Sequence, residues 1–217
     1  MKTALLLFVV MCLFTSCDWF DSSDDSGDSS TIGGSSNIAI NTVGNTFSNS
    51  VRVGVSSYSG SISITSVTDG VATVKFHAAI PSNITLLQGI KSKYKDASGN
   101  LDCEGKFKMT DEGILDYNNK DHKPFVLVKY DANVGDKYTL EKSDGTTITR
   151  EVVRKSTTDD YYWGAMLIKT VDVEQTSNIS GVKKITYFTN HKFGLVAVRL
   201  TMEDGSTPQL SLTPTKY

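Results

Sequence analysis

From Asn37 to the C-terminus, apolar residues recur at every second position. Ile62 and Ile64 alternate with serines, and Ala72, Val74, Phe76 and Ala78 alternate with Thr73, Lys75 and His77. Val51, Val53 and Val55 alternate with Arg52 and Gly54. Val196, Val198 and Leu200 alternate with Ala197 and Arg199. A period of two sends one face of a strand to a core and the other to water. It is the mark of antiparallel sheet. The pattern predicts about ten to twelve strands.

Glycine turns punctuate these runs at Ser59-Gly60, Asp69-Gly70, Ser98-Gly99-Asn100, Asp144-Gly145 and Asp204-Gly205. Asp-Gly suits the type I′ hairpin turn, which needs positive φ at both central residues. Thr139 to Lys142 and Thr147 to Arg150, joined through Asp144-Gly145, read as one hairpin. Leu195 to Met202 and Gln209 to Leu212 read as another. One segment departs from the period. Leu86, Leu87, Ile90 and Tyr94 are spaced as on a helix, with Ser82 or Asn83 as cap. The expected fold is mainly β: a single antiparallel meander forming a half-barrel, or open barrel, with one short helix. A β-sandwich is the alternative.

The N-terminus has a different composition. Lys2 precedes an eleven-residue apolar run from Ala4 to Phe14, then Thr15, Ser16 and Cys17. The run is too short to span a bilayer, which takes about 20 apolar residues. It has the layout of a secretory signal. With a cysteine at the cleavage point, it resembles the bacterial lipobox, with Phe14 where Leu is commoner. Cleavage before Cys17 would leave a thiol that carries diacylglycerol and an amine open to acylation. Residues 1–16 are thus expected as a lipoprotein signal, 17–36 as the lipidated Cys and a flexible tether, and 37–217 as one β-rich domain. Residues 18–36 are rich in Ser, Gly and Asp and predict a coil with a reach of roughly 25 Å. Trp19 and Phe20 would rest at the membrane interface. An acidic stretch after the lipidated Cys resembles the surface-export signal of Bacteroidota lipoproteins, so outer-membrane anchoring is expected, with periplasmic and surface faces both open.

Charge narrows the partners. The net charge is −2, and five Asp with no Lys or Arg fall within residues 18–36. Residues 37–217 hold 19 acidic and 21 basic residues. A nearly neutral domain has no basic excess to release phosphate counterions, so nucleic acid is not an expected partner. Of the three cysteines, Cys12 lies in the signal and Cys17 takes the lipid, leaving Cys103 with no partner for a disulfide. Asp102 and Glu104 beside it would raise its pKa, so a buried, unreactive thiol is expected.

Motifs for chemistry are absent. His77, His122 and His191 lie far apart, and none has a second ligand at metal spacing. There is no G-x-S-x-G elbow and no phosphate loop. Asp131 to Asp136 lacks the frame of a calcium loop. No metal, no cofactor and no enzymatic activity are expected. The cluster Tyr161-Tyr162-Trp163 is the candidate for ligand contact at a barrel lip, with the first layer of the core as the other reading.

Several phrases resemble bacterial envelope lipoproteins: Tyr130 to Tyr138 (YDANVGDKY), Trp163 to Thr170, Gly181-Val182 with Tyr187-Phe188, and His191 to Val196. The resemblance covers about residues 105–212. It implies an envelope lipoprotein of Bacteroidota type, with a half-barrel similar to periplasmic lipoprotein-carrier and receptor folds. It implies two adjacent strands around Tyr187 and Val196, and carries over no catalytic residue. The functional expectation is a lipid-anchored protein holding an apolar or lipid ligand under a lid made by Leu86, Leu87 and Ile90. The alternative is a surface accessory protein whose aromatics contact glycan.

Overall fold

A computed structural model describes residues 29–53, 56–58, 60–79, 92–177 and 179–217. In chain order the strands are β1 (Thr46–Val53), β2 (Ser56–Tyr58), β3 (Ser61–Thr68), β4 (Val71–Ala78), β5 (Leu101–Met109), β6 (Gly113–Asp116), β7 (Phe125–Lys129) and β8 (Lys137–Glu141). They continue as β9 (Thr147–Lys155), β10 (Tyr161–Trp163), β11 (Met166–Ile168), β12 (Val171–Thr176), β13 (Val182–Asn190), β14 (Gly194–Met202) and β15 (Gln209–Pro214). Two three-residue 3-10 turns, Ala39–Asn41 and Ser92–Tyr94, supply the helical geometry among the described residues. Leu86, Leu87 and Ile90, with most of the expected helix, lie outside the described residues, as do Cys17 and residues 18–28.

Twelve strands form one antiparallel sheet in the order β7-β6-β5-β4-β3-β1-β15-β14-β13-β12-β9-β8. The sheet is a meander nearly closed into a barrel, rather than two stacked sheets. Around the barrel the order is that of the chain, with β2 and the β10–β11 hairpin set aside. The ends of the chain close it at one place: residues 47–52 of β1 pair with residues 209–214 of β15. Asn45, fully buried, clasps that junction. Its amide donates to the carbonyls of Ile40 (2.9 Å) and Lys216 (3.0 Å), and its oxygen accepts from Lys216 N (3.0 Å). The two sheet edges, β7 and β8, are consecutive in sequence and share no ladder.

Alternation is legible in the burial. Ile62 and Ile64 on β3, and Ala72, Val74 and Phe76 on β4, are buried in one continuous core with Ile185, Tyr187, Val198 and Leu200. β14 breaks the expected frame. The register runs Phe188↔Ala197 and then Thr189↔Leu195, so Val196 is the extra residue of a bulge. The bulge places Val196 with Ala197 in a second, smaller apolar cluster, while Val198 and Leu200 stay in the main core.

The Asp-Gly turns divide by backbone geometry. Asp69 and Gly70 have φ of 51° and 79°, and Thr68 pairs with Val71, so this turn is type I′. At Asp144-Gly145 only Gly145 has positive φ (78°). Gly145 N donates to Lys142 O (2.9 Å) and Lys142 N to Thr146 O (2.8 Å). This is a type I turn followed by a left-handed glycine, not the type I′ turn expected there. The Asp144 carboxylate accounts for the difference by accepting from Thr146 N (3.1 Å), an Asx bond that holds Asp144 in the ordinary half of φ space.

Residues 29–36, read from composition as tether, lie against the barrel. Ser35 N donates to Asp111 Oδ1 (2.7 Å), and Asp111 N returns a bond to Ser35 O (3.2 Å). Ile32 packs on the core. It lies over Gly113, where an added Cβ would come within 3.3 Å of its Cγ2. Asn41 fixes the far end by donating to Ser36 O (3.1 Å) and Gly70 O (3.2 Å).

Gly145 tests the turn assignment. Nothing lies within 4 Å of a Cβ built there, so substitution meets only backbone strain. Gly145→Val is expected to cost about 1–2 kcal/mol in urea denaturation, and Gly145→Asn clearly less, because Asn tolerates the left-handed region.

Candidate functional site

The place where the barrel fails to close is chemically the most distinctive part of the molecule. Ile148, Arg150 and Val152 alternate on β9, so Arg150 faces inward with two aliphatic neighbours. It is 4% exposed. Its guanidinium reaches across to the opposite edge. Nη2 binds Asp116 Oδ2 on β6, Nη1 donates to Val126 O on β7 (3.0 Å), and Nε donates to Gln175 Oε1 on β12 (2.9 Å). The guanidinium carbon stands 4.2 Å over the Phe125 ring and 5.4 Å from that of Tyr187. Asp116 is equally buried and also accepts from Asn118 N (3.0 Å). A buried ion pair, satisfied by further hydrogen bonds, therefore bolts β9 to β6 and β7 behind the seam.

Other groups cross the seam. Tyr138 of β8 accepts through its hydroxyl from Lys129 N of β7 (3.3 Å). Burial pushes the Tyr138 phenol up to about 12, so it stays a neutral partner. Ser29 spans both lips: its carbonyl accepts from Val126 N (2.9 Å), and its Oγ from Thr139 N of β8 (2.9 Å). At the end of the seam, Asp121 accepts from Ser143 N (2.6 Å), and Lys120 pairs with Asp144 (2.7 Å). The bonds from Ser143 hold the Asp121 carboxyl below its ordinary range, and the bond from Lys120 does the same for Asp144. Side chains and one docked segment thus take the place of a strand ladder.

The expected aromatic site lies elsewhere. Tyr161-Tyr162-Trp163 is β10, paired with β11 in a two-stranded sheet of its own. The turn between them carries Gly164 at φ 59°. Trp163 and Ile168 bury against Phe188, Phe193, Val196 and Ala197 in the second cluster. Trp163 Nε1 donates to Leu212 O (2.8 Å). Tyr161 stacks on Phe188 at 5.0 Å between ring centroids and accepts from Gln209 Nε2 (3.1 Å). Tyr161 and Trp163 therefore sit in a packed layer apart from the main core, not at a lip of the barrel interior. Tyr162 points the other way and is 73% exposed, paired across the hairpin with Leu167 at 54%. Arg154 ties the hairpin to the sheet by bridging Asp160 (2.6 Å) and Asp172 (3.2 Å).

Cys103 on β5 is buried, and its thiol is pushed up to about 12, by burial first and then by Asp102 and Glu104. That suits an unreactive core thiol. Asp136 folds its carboxylate onto Asn133 N (2.8 Å), closing the 131–136 turn on itself.

Arg150 and the seam were not among the residues singled out from the sequence, yet a signal was there: Ile148-x-Arg150-x-Val152 puts a cation on an apolar face. Tyr187 and Val196 do fall on adjacent strands, β13 and β14, as the resemblance implied.

No family model and no curated protein matches the chain. Among solved structures, it is similar to a Bacteroides fragilis protein classed as exported, with a YmcC-like fold. Identity is 10%, the TM-score is 0.44, and the match covers 79% of this chain and 94% of that one. At that distance the likeness carries no argument, and the reading below rests on this chain's own residues.

The bolt and the seam give separate expectations. Arg150→Ala strands a buried carboxylate and is expected to cost about 3–5 kcal/mol, whereas Arg150→Met combined with Asp116→Leu recovers most of it; chemical denaturation reads both. The depressed Asp121 carboxyl stabilises the fold fully above its ordinary value of 3.8, and less as pH falls below that through its folded value. Asp121→Asn should therefore lower Tm at pH 7, with the gap from wild type narrowing toward pH 2.

Proposed function

We propose that this chain is a lipid-anchored protein of the outer membrane whose barrel takes up an apolar ligand, a lipid or an acyl chain. In this reading it binds and holds, and performs no covalent chemistry. One observation carries the proposal. Among the described residues, a barrel with an apolar inner wall is laddered all the way round except between β7 and β8. Parting there breaks the bonds of Ser29, Tyr138 and Arg150 but no strand ladder. The signal-like N-terminus and Cys17 supply the anchor in the same reading, and the nearly neutral domain fits a partner that is not nucleic acid.

The alternative, a surface accessory protein contacting glycan, has one observation in its favour. Tyr162 presents an exposed ring on a hairpin braced from below by Trp163. Loss of polysaccharide binding in Tyr162→Ala, with uptake of an apolar probe unchanged, would favour that reading.

Native mass spectrometry of the purified protein is expected to show a retained lipid, and a fluorescent fatty acid to bind saturably. Absence of both overturns the apolar-ligand reading. Cys17→Ser is expected to move the protein from the detergent phase to the aqueous phase, and unchanged partitioning overturns the anchor.

A further inference from the structure

The segment 29–36 has no strand pairing of its own, yet it is placed with care. Ser29 occupies the seam, one residue bonded to both lips. Ile32 then packs over Gly113 at the start of β6. A side chain at Gly113 would also strike Val128 O at 2.4 Å, so glycine is what lets the segment and β7 lie close together there. Ser35 and Asp111 exchange two bonds at the β5–β6 turn, and Asn41 holds Ser36 beside the β3–β4 turn. The attachments at the Asp111 turn and at Gly70 are outside the seam. The segment can therefore leave the seam at Ser29 while staying tied farther along.

We infer that residues 29–36 form a strap whose Ser29 end closes the β7–β8 seam, and that the seam is the port through which an apolar ligand enters. The second half rests on the ligand reading above. The physical asymmetry supports both halves. Opening any other pair of neighbouring strands breaks a row of backbone bonds in the barrel wall. Opening this one breaks no ladder: it releases the bonds of Ser29, Tyr138 and the 120–144 contacts, and the Arg150 bonds to Asp116 and Val126 O. The strap also leads back toward Cys17. Even fully extended, the residues between Cys17 and Ser29 span at most about 40 Å. A lipid on Cys17 would therefore hold the seam side of the domain within that distance of the bilayer, where lipid is supplied.

Two readouts on the chain carrying Cys17→Ser separate the strap from the ligand. The first needs no ligand. Ile32→Asp should undock the strap and speed amide exchange at Val126 and Thr139 by tenfold or more, leaving Val173, Ile185 and Leu200 unchanged. Unchanged exchange at Val126 and Thr139, or an equal rise at all five, overturns the strap. The second adds Asp121→Cys with Ser143→Cys, residues whose side chains meet across the end of the seam; buried Cys103 stays out of the chemistry. The oxidised staple should slow uptake of a fluorescent fatty acid at least fivefold, and reduction should restore it. Equal uptake rates overturn the port. If the wild-type chain takes up no probe, the ligand reading and the port fall together, while the exchange result still decides the strap.

Discussion

The structure depends on how it treats one charge. Arg150 is buried on the inner face of β9, and an unpaired guanidinium in that position would cost several kcal/mol. Asp116, Val126 O and Gln175 together offset that cost, and they come from β6, β7 and β12. Asp116 and Val126 cannot meet Arg150 unless the two edges of the sheet have come round to face each other. The ion pair thus does for the seam what a ladder does for the other strand pairs. It does so with directional bonds that a slipped register would leave unsatisfied. The flanking rings of Phe125 and Tyr187 keep water away from the guanidinium faces and add cation–π attraction.

Around that bolt, the architecture solves the edge problem without full closure. Exposed edges invite pairing with other chains. Here the edge of β7 is occupied by Ser29 and Arg150, and β8 is covered at Thr139 and Tyr138. The blocking groups are side chains and one docked backbone, so the edge is shielded but not permanently sealed. The β10–β11 hairpin does related work on the other cluster. It covers the apolar residues that the bulge at Val196 turns away from the main core.

What the sequence made legible follows from which forces are local. Period-two alternation and glycine turns are local, and they gave the mainly β meander and most strand positions. The inertness of Cys103 was legible because its acidic neighbours are adjacent in the chain. The type of the Asp144 turn was not, because Asp69-Gly70 and Asp144-Gly145 share a dipeptide and differ in which side-chain bonds form. The docking of residues 29–36 was hidden by composition: a Ser/Gly run with one isoleucine reads as solvated until Gly113 and Asp111 are seen to receive it. Tyr161 and Trp163 left both a lip and a core layer open, because aromatics beside an apolar strand fit several layers equally well. The seam could not be read at all, since an absent ladder leaves no mark in a sequence.

The pairing of β1 with β15 has a consequence for how the molecule comes into being. Phe47 meets Pro214 and Val51 meets Leu210, so strands at opposite ends of the domain lie side by side. A chain made from its N-terminus delivers β15 last. Until it arrives, β1 has no partner on that side, and the Asn45 clasp cannot form. Contacts of such sequence separation close slowly, and an unpaired strand waiting in a crowded compartment is prone to aggregate. The newly made chain therefore passes through a period as an open sheet, with its apolar inner wall exposed. The hazard of that interval is set by the topology of the sheet.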